Sequence, residues 1–164
     1  MRTSRTILIA VTAGLLTAAP AAIASASTTT PTDAPAGSTT SWGPLFAQGD
    51  KAVTRGTLTV VSRDKSTNPV TATVHVKGRI TDLTSAKGCG WTVFRISYMK
   101  SDGSLPFKHR YYLDCSKGTP KEFAFTDHRV ALVEVKVCNE GKAKKPSLNC
   151  YYAGSWKNLY SYLP

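Results

Sequence analysis

A short aromatic and basic segment near the C-terminal end carries the most specific chemistry in the sequence. Tyr151, Tyr152 and Trp156 lie close together, and Lys157 follows directly. Exposed aromatic rings can stack on sugar rings, and a neighbouring lysine can reach an anionic group on the same polymer. Alternatively, these rings fill the core of a β domain or cover its open end. These four residues are therefore the first candidates for a binding site.

The preceding stretch, CNEGKAKKPSLNC, is a basic loop between Cys138 and Cys150. Its lysines, Lys142, Lys144 and Lys145, could contact a polyanion, in which case binding would weaken steeply with salt. A loop braced by a disulfide could instead occupy a protease cleft, because preorganisation reduces the entropy lost on binding. The third interpretation is a solvated connection whose lysines keep a sheet edge soluble.

The four cysteines fit two disulfides. A three-residue hairpin loop at Ser101–Gly103 would place Cys89 opposite Cys115 at the base of the hairpin, within disulfide reach. Pro106 conflicts with a fully paired hairpin, so the hairpin is frayed there or its loop extends past the proline. Four cysteines allow three connectivities. We favour Cys89–Cys115 with Cys138–Cys150, and we interpret the second bridge as a clip between two strands at the end of a β-hairpin.

Catalytic and metal-binding patterns do not emerge from the sequence. It has no H-E-x-x-H, G-x-S-x-G, phosphate-binding glycine loop or EF-hand pattern. The histidines are interpreted as solvated surface residues; they are His75, His109 and His128. Four acids could cluster as a carboxylate pair for glycoside hydrolysis; they are Asp114, Glu122, Asp127 and Glu134. The cysteines lack the close paired spacing of zinc sites. We expect no catalytic residue, no metal and no cofactor.

Alternating hydrophobicity indicates the elements that position these residues. In the segment 70–80, Val74, Val76 and Ile80 share one face with Val70 and Ala72, while polar residues occupy the other, which is typical of a half-buried strand. Further strands are predicted at Thr57–Ser62, Trp91–Met99, Phe107–Leu113, Glu122–Phe125 and Val130–Val137. Ser155–Tyr162 is ambiguous and could form a short helical turn. The pattern predicts an all-β fold, an antiparallel sandwich, with a small barrel as the alternative.

The N-terminal region predicts export. Residues 1–26 carry Arg2 and Arg5, an apolar run and a small-residue cleavage pattern, as in a secretory signal peptide. Residues 27–41 are rich in Thr, Pro, Ala and Ser and are predicted to form a flexible linker. One β domain should then occupy residues 42–164. Removal of the leader would lower the formal net charge from +11 to +9, so the exported chain would be basic and secreted without a membrane anchor.

In layout the chain resembles small secreted proteins of actinobacteria. The features that carry this resemblance are the leader MRTSRTILIAVTAGLLTAAPAAIASA, the linker STTTPTDAPAGSTT and a four-cysteine β domain containing VEVKVCNEG. The resemblance implies export and a compact disulfide-bonded domain. It transfers no activity and no site residue.

The expected function is non-enzymatic binding of an extracellular or cell-wall polymer, since a basic exterior attracts polyanions. The alternative is a protein-interaction module or protease inhibitor that acts through the Cys138–Cys150 loop. A small hydrolase is the third hypothesis. The sequence does not define the oligomeric state.

Overall fold

The computed structural model describes residues 35–68, 70–85 and 87–162. The predicted signal peptide and residues 27–34 of the predicted linker lie outside this part of the chain. The described residues form a nearly all-β structure, with 61% of residues in strands and one short α-helix. The all-β prediction is therefore confirmed.

The elements follow one another as seven strands with a helix before the last. The strands are β1 (Thr39–Phe46), β2 (Ala52–Asp64), β3 (Thr71–Asp82), β4 (Cys89–Tyr98), β5 (Phe107–Asp114), β6 (Lys121–Glu140) and β7 (Lys157–Ser161). The helix α1 (Leu148–Tyr152) precedes β7, and a single 3₁₀ turn (Gln48–Asp50) joins β1 to β2. The strand β1 thus begins three residues before the expected start of the domain at Trp42.

The strands form one open antiparallel sheet in the order β1-β2-β3-β6-β4-β5, with β7 also paired to β6. The long strand β6 organises this sheet. Its first half pairs with β3, and its second half pairs with β4 on one edge and β7 on the other. Prediction of separate strands at Glu122–Phe125 and Val130–Val137 was wrong. The register shifts near Arg129, which has a φ of 54°, so the strand is distorted there without ending.

The main core lies between the two halves of this sheet. Val74, Val76 and Ile80 are fully buried, as their alternation predicted, and pack in one cluster with Phe94 and Val133 from the other half. β-branched side chains such as valine and isoleucine fit well on a pleated sheet. Their burial in this cluster therefore stabilises the packing of one half of the sheet on the other.

The segment Ser155–Tyr162, which could have formed a short helical turn, contains a strand instead. Lys157–Ser161 forms β7, and Tyr160 is buried in the main core. The helical turn lies upstream in α1, where the side-chain oxygen of Ser147 accepts a hydrogen bond from the Cys150 backbone N–H and caps the helix. Within the described residues, no helix has the length and apolar character needed to cross a membrane.

Both predicted disulfides are present. Cys89–Cys115 closes the β4–β5 hairpin, in which Arg95 pairs with His109 as the three-residue loop predicted. Beyond β5 the same register continues to the tip, since the Tyr98 N–H donates to the Pro106 carbonyl at 2.9 Å and the Lys100 N–H to the Ser104 carbonyl at 3.0 Å. The hairpin is therefore frayed at Pro106, which has no N–H to donate, and its loop does not extend past the proline. Cys138–Cys150 joins β6 to α1. The interpretation of this bridge as a clip between two strands was therefore wrong.

Side chains alone join β5 to the first half of β6, since no described backbone pairing links these strands. The buried Asp127 carboxylate accepts hydrogen bonds from Lys108 Nζ at 2.7 Å, Arg110 Nε at 2.8 Å and the Tyr98 hydroxyl at 3.1 Å. Farther along, Lys121 Nζ donates to the Leu113 carbonyl at 2.9 Å. The charged side chains between β5 and β6 therefore form contacts that stabilise the fold.

Candidate functional site

The outer face of β4, β5 and β6 carries a cluster of rings that we call the aromatic patch. Its members are Phe107, His109, Tyr111, Tyr151, Tyr152 and Trp156. Phe107, Tyr111 and Tyr152 are exposed, and the other three are half-buried. Exposed aromatic rings in such a group remain available for contact with a ligand.

Two elements bring the rings together. Phe107, His109 and Tyr111 alternate along β5, so their side chains emerge on one face of an edge strand at a spacing of about 6.6 Å. The segment from α1 to β7 brings Tyr151, Tyr152 and Trp156 onto the same face.

A second, smaller core holds α1 in place beneath the patch. Trp91, Val93 and Cys150 are buried there, and Tyr151 and Trp156 pack against them. Since Cys150 is bonded to Cys138 on β6, the disulfide fixes the helix directly over this core. The patch therefore sits on a braced surface and needs little ordering when a ligand binds.

Three of the rings are nearly parallel. The His109 ring lies 4.4 Å from the Tyr151 ring with an interplanar angle of 23°, and 5.9 Å from the Trp156 ring with an angle of 13°, measured between centroids. Phe107 meets His109 edge-on at 5.3 Å. Offset stacking and edge contacts are favourable arrangements of aromatic rings, so they fix the orientation of the patch.

Two cations anchor Trp156. The Arg95 guanidinium lies 4.8 Å and the Lys136 ammonium 4.7 Å from the centroid of its ring. Arg95 also donates to both carboxylate oxygens of Glu134, at 2.6 and 2.9 Å. Lys136 is buried and donates to the carbonyls of Tyr151 and Ala153. A cation is favourable at these C-terminal helix carbonyls, so Lys136 holds the α1 end over the sheet.

The local electrostatics keep His109 neutral. Burial, followed by the nearby charges of Arg95 and Lys136, lowers the pKa of His109 below its ordinary value of 6.5. Burial likewise raises the pKa of Tyr151. Near pH 7 the patch thus presents uncharged rings, while the cations beneath it are engaged by Glu134, backbone carbonyls and Trp156.

The structure brings some predicted site residues together. Tyr151, Tyr152 and Trp156 belong to the patch, and Lys157 is exposed at the start of β7. The loop lysines are exposed, and Lys142 and Lys145 line a surface depression of about 820 Å³ together with Tyr151. The basic loop therefore adjoins the patch. Its ends are tied by Ser147, whose backbone N–H and hydroxyl donate to the Glu140 carboxylate.

Sequence reasoning missed half of the patch. It interpreted His109 as a solvated residue, and it assigned no role to Phe107 or Tyr111. The alternation of aromatic residues along β5 was a usable signal, and the hairpin register predicted from the Ser101–Gly103 loop is the one that places Arg95 opposite His109. The helix α1 contacts β5 only through long-range packing, which no local sequence pattern indicates.

The four acids considered for hydrolysis have different surroundings. Asp127 binds Lys108 and Arg110, and Glu134 binds Arg95. Asp114 accepts from the Asp82 backbone N–H. Glu122 has no side-chain partner among the described residues. Nor does the described part of the chain contain a group of three or more His, Cys, Asp or Glu residues that could hold a metal ion.

The comparisons with known proteins add no relative. No protein-family model, no curated protein and no solved structure gives a significant match to this chain. The geometry of the aromatic patch is therefore the basis for inferring a function.

Proposed function

We propose that this protein is an extracellular, non-catalytic binding protein that attaches to polysaccharide through the aromatic patch. One observation carries the proposal: the near-parallel rings of Tyr151, His109 and Trp156 continue into the exposed rings of Phe107 and Tyr111 on an edge strand. The stacked rings hold this surface in place, and the exposed rings of Phe107, Tyr111 and Tyr152 offer stacking surfaces to an extended sugar polymer. Two disulfides are compatible with an extracellular location.

The basic loop extends this surface. Lys142, Lys144 and Lys145 have exposed side chains without a described partner, and Lys142 and Lys145 line the same depression as Tyr151. On a polymer with anionic groups they would add a salt-sensitive contribution to binding. Stacking alone releases few counterions, so a salt titration of binding distinguishes the contribution of the lysines from that of the aromatic rings.

The test is a pull-down of residues 27–164 on insoluble cellulose, chitin and purified cell wall. Phe107→Ala should weaken binding, because it removes an exposed stacking ring. The substitution should leave the fold intact, since this ring contributes little to the core. Phe46→Ala is the matched control because Phe46, like Phe107, is a terminal residue of an edge strand and is 52% exposed, against 51% for Phe107. Equal effects of the two substitutions, or no binding to any polymer, would contradict the proposal.

A second candidate function is protein contact through the Cys138–Cys150 loop. The observation that favours it is the double brace, in which the disulfide and the Glu140–Ser147 hydrogen bonds fix both ends of the loop. A preorganised loop with exposed lysines suits the cleft of a lysine-specific protease. Inhibition of trypsin that disappears in Lys142→Ala/Lys144→Ala/Lys145→Ala would support this function, and absence of inhibition by the unmodified chain would exclude it.

A further inference from the structure

We infer that a groove on the outer face of β1, β2, β3 and the first half of β6 is a second binding site, one that accepts a linear polysaccharide whose sugars carry carboxylates. This proposal concerns the other half of the sheet from the aromatic patch. The groove has a volume of about 850 Å³. Its occupant is identified by the charge and chemistry of the two rows of side chains that form its walls.

The floor of the groove is bare backbone. The register places Trp42, Gly56, Gly78 and Phe123 in one row across the four strands. The rings of Trp42 and Phe123 stack at 6.3 Å on the inner side of this row. A Cβ atom at Gly56 would lie 2.7 Å from the Trp42 ring, and one at Gly78 would lie 2.7 Å from the Phe123 ring. The core rings thus require both glycines.

The walls are two rows of outward side chains on either side of the glycines. Arg55 and Arg79 pair across β2 and β3 in the first row, and Thr57 and Lys77 pair in the second. Neighbouring outward residues along a strand are about 6.6 Å apart, so basic groups flank the floor from both sides. The groove crosses three strand spacings, or about 14 Å, which is room for a short run of sugar units.

The basic groups in the walls are uncommitted. Arg55, Lys77 and Arg79 are exposed, and none of their side chains forms an ion pair or a hydrogen bond with another described residue. The one acid in the lining is Glu122, beside Arg79 in the pairing of β3 with β6. The groove therefore has an excess of positive charge that an anionic ligand would neutralise.

The remaining lining favours an acidic sugar polymer over a simple polyanion. Arginine binds carboxylates through two parallel hydrogen bonds, which gives the contact geometric specificity. Ser41 and Thr57 supply hydroxyls that can bind sugar hydroxyls. Pro44 and Ala124 add apolar surface next to the glycine floor. A sugar ring can use all three kinds of contact, whereas polyphosphate can use only the charges.

The test measures binding of the disulfide-bonded chain to polygalacturonate. We expect Arg55→Gln/Arg79→Gln to weaken binding about tenfold or more, because two charge-assisted contacts are lost. The slope of log Kd against log salt should also decrease by about 1 to 2. Fully methyl-esterified polygalacturonate should not bind, since it keeps the sugar backbone but lacks the carboxylates.

A charge-matched variant separates the groove from general attraction. Lys65→Gln/Lys100→Gln removes two exposed charges that have no described side-chain partner elsewhere on the surface. An equal loss of binding in this variant would overturn the proposal, as would binding of the methyl ester. Polyphosphate binding that matches polygalacturonate and falls equally in Arg55→Gln/Arg79→Gln would show a general polyanion strip and also overturn it. Binding to neutral chitin or cellulose should not change, which keeps this test separate from that of the aromatic patch.

Discussion

The two outer faces of the sheet use their basic residues in opposite ways. On the aromatic side, Arg95 is paired with Glu134, and Lys136 is held by backbone carbonyls beneath Trp156. On the groove side, Arg55 and Arg79 have no described side-chain partner. A charge with partners fixes local geometry, whereas a charge without them remains available to a ligand. The comparison predicts that substitutions on the first face affect stability and that substitutions on the second affect binding.

The disulfide beneath the patch should give the largest effect on stability. Cys138→Ser/Cys150→Ser should lower the free energy of unfolding by roughly 3 kcal/mol, because the unfolded chain is no longer cross-linked. The measurement is urea denaturation. Since this bridge holds α1 over the second core, the variant should also lose binding to neutral polysaccharide while its binding to polygalacturonate is retained. Loss of both would show that the two faces are not independent.

Asp127 should give the next largest effect. Asp127→Asn should lower the free energy of unfolding by about 1–2 kcal/mol, because Lys108 and Arg110 lose a buried partner but are themselves partly exposed. Glu122→Gln is the control, since that acid is exposed and unpartnered. Urea denaturation near pH 7 compares them, and similar losses would contradict the account.

The same carboxylate predicts a pH dependence. Burial would raise its pKa, but hydrogen bonds from Arg110 and Lys108 outweigh this and hold the pKa of Asp127 below its ordinary value of 3.8. Its contribution to stability is therefore complete above about pH 4 and is lost as the pH falls through the folded-state pKa. Denaturation curves between pH 6 and pH 2 should show a smaller acid-induced loss in Asp127→Asn than in the unmodified chain.

A pair of arginines compares the two faces directly. Arg95→Gln should lower the free energy of unfolding by about 1 kcal/mol, because Glu134 is left largely buried without its partner. Arg55→Gln should stay within about 0.5 kcal/mol, as is usual for surface substitutions. Thermal unfolding of the two variants provides the measurement. The comparison fails if Arg55→Gln is the more destabilising.

The smallest effect concerns His109. Its pKa is lower in the folded chain, so between that pKa and 6.5 the unfolded chain binds more protons and stability decreases as the pH falls. Arg95→Gln removes a positive charge near the ring and should move the pKa of His109 upward. An NMR titration of the ring protons measures this shift. A downward movement would show that Arg95 does not act on His109 as described.

Local pattern predicted the strands, while long-range contacts determined the site. The alternation around Val74 and Val76 identified a buried face because β-strand periodicity is a local property. The hairpin turn at Gly103 likewise fixed the register that joins Cys89 to Cys115. The distortion at Arg129 could not be predicted, since the turn-like sequence around it occurs within one strand that changes partners.

Neither binding surface could be predicted in full from the sequence, and the reason is the same for both. Tyr151 and Trp156 were candidates from their spacing, but their contact with His109 depends on where the helix α1 packs. Arg55 and Arg79 are far apart in the sequence, and only strand pairing places them side by side. Neither the groove nor the full patch is encoded in one segment, so a scan for local motifs does not find them.

The most direct test of the two-face account is a crossed binding measurement. Phe107→Ala and Arg55→Gln/Arg79→Gln are each titrated with neutral chitin and with polygalacturonate. The account predicts that Phe107→Ala loses chitin binding and keeps polygalacturonate binding, and that the double arginine variant shows the reverse. If each variant loses both polymers to the same degree, the two faces form one site and the account is wrong.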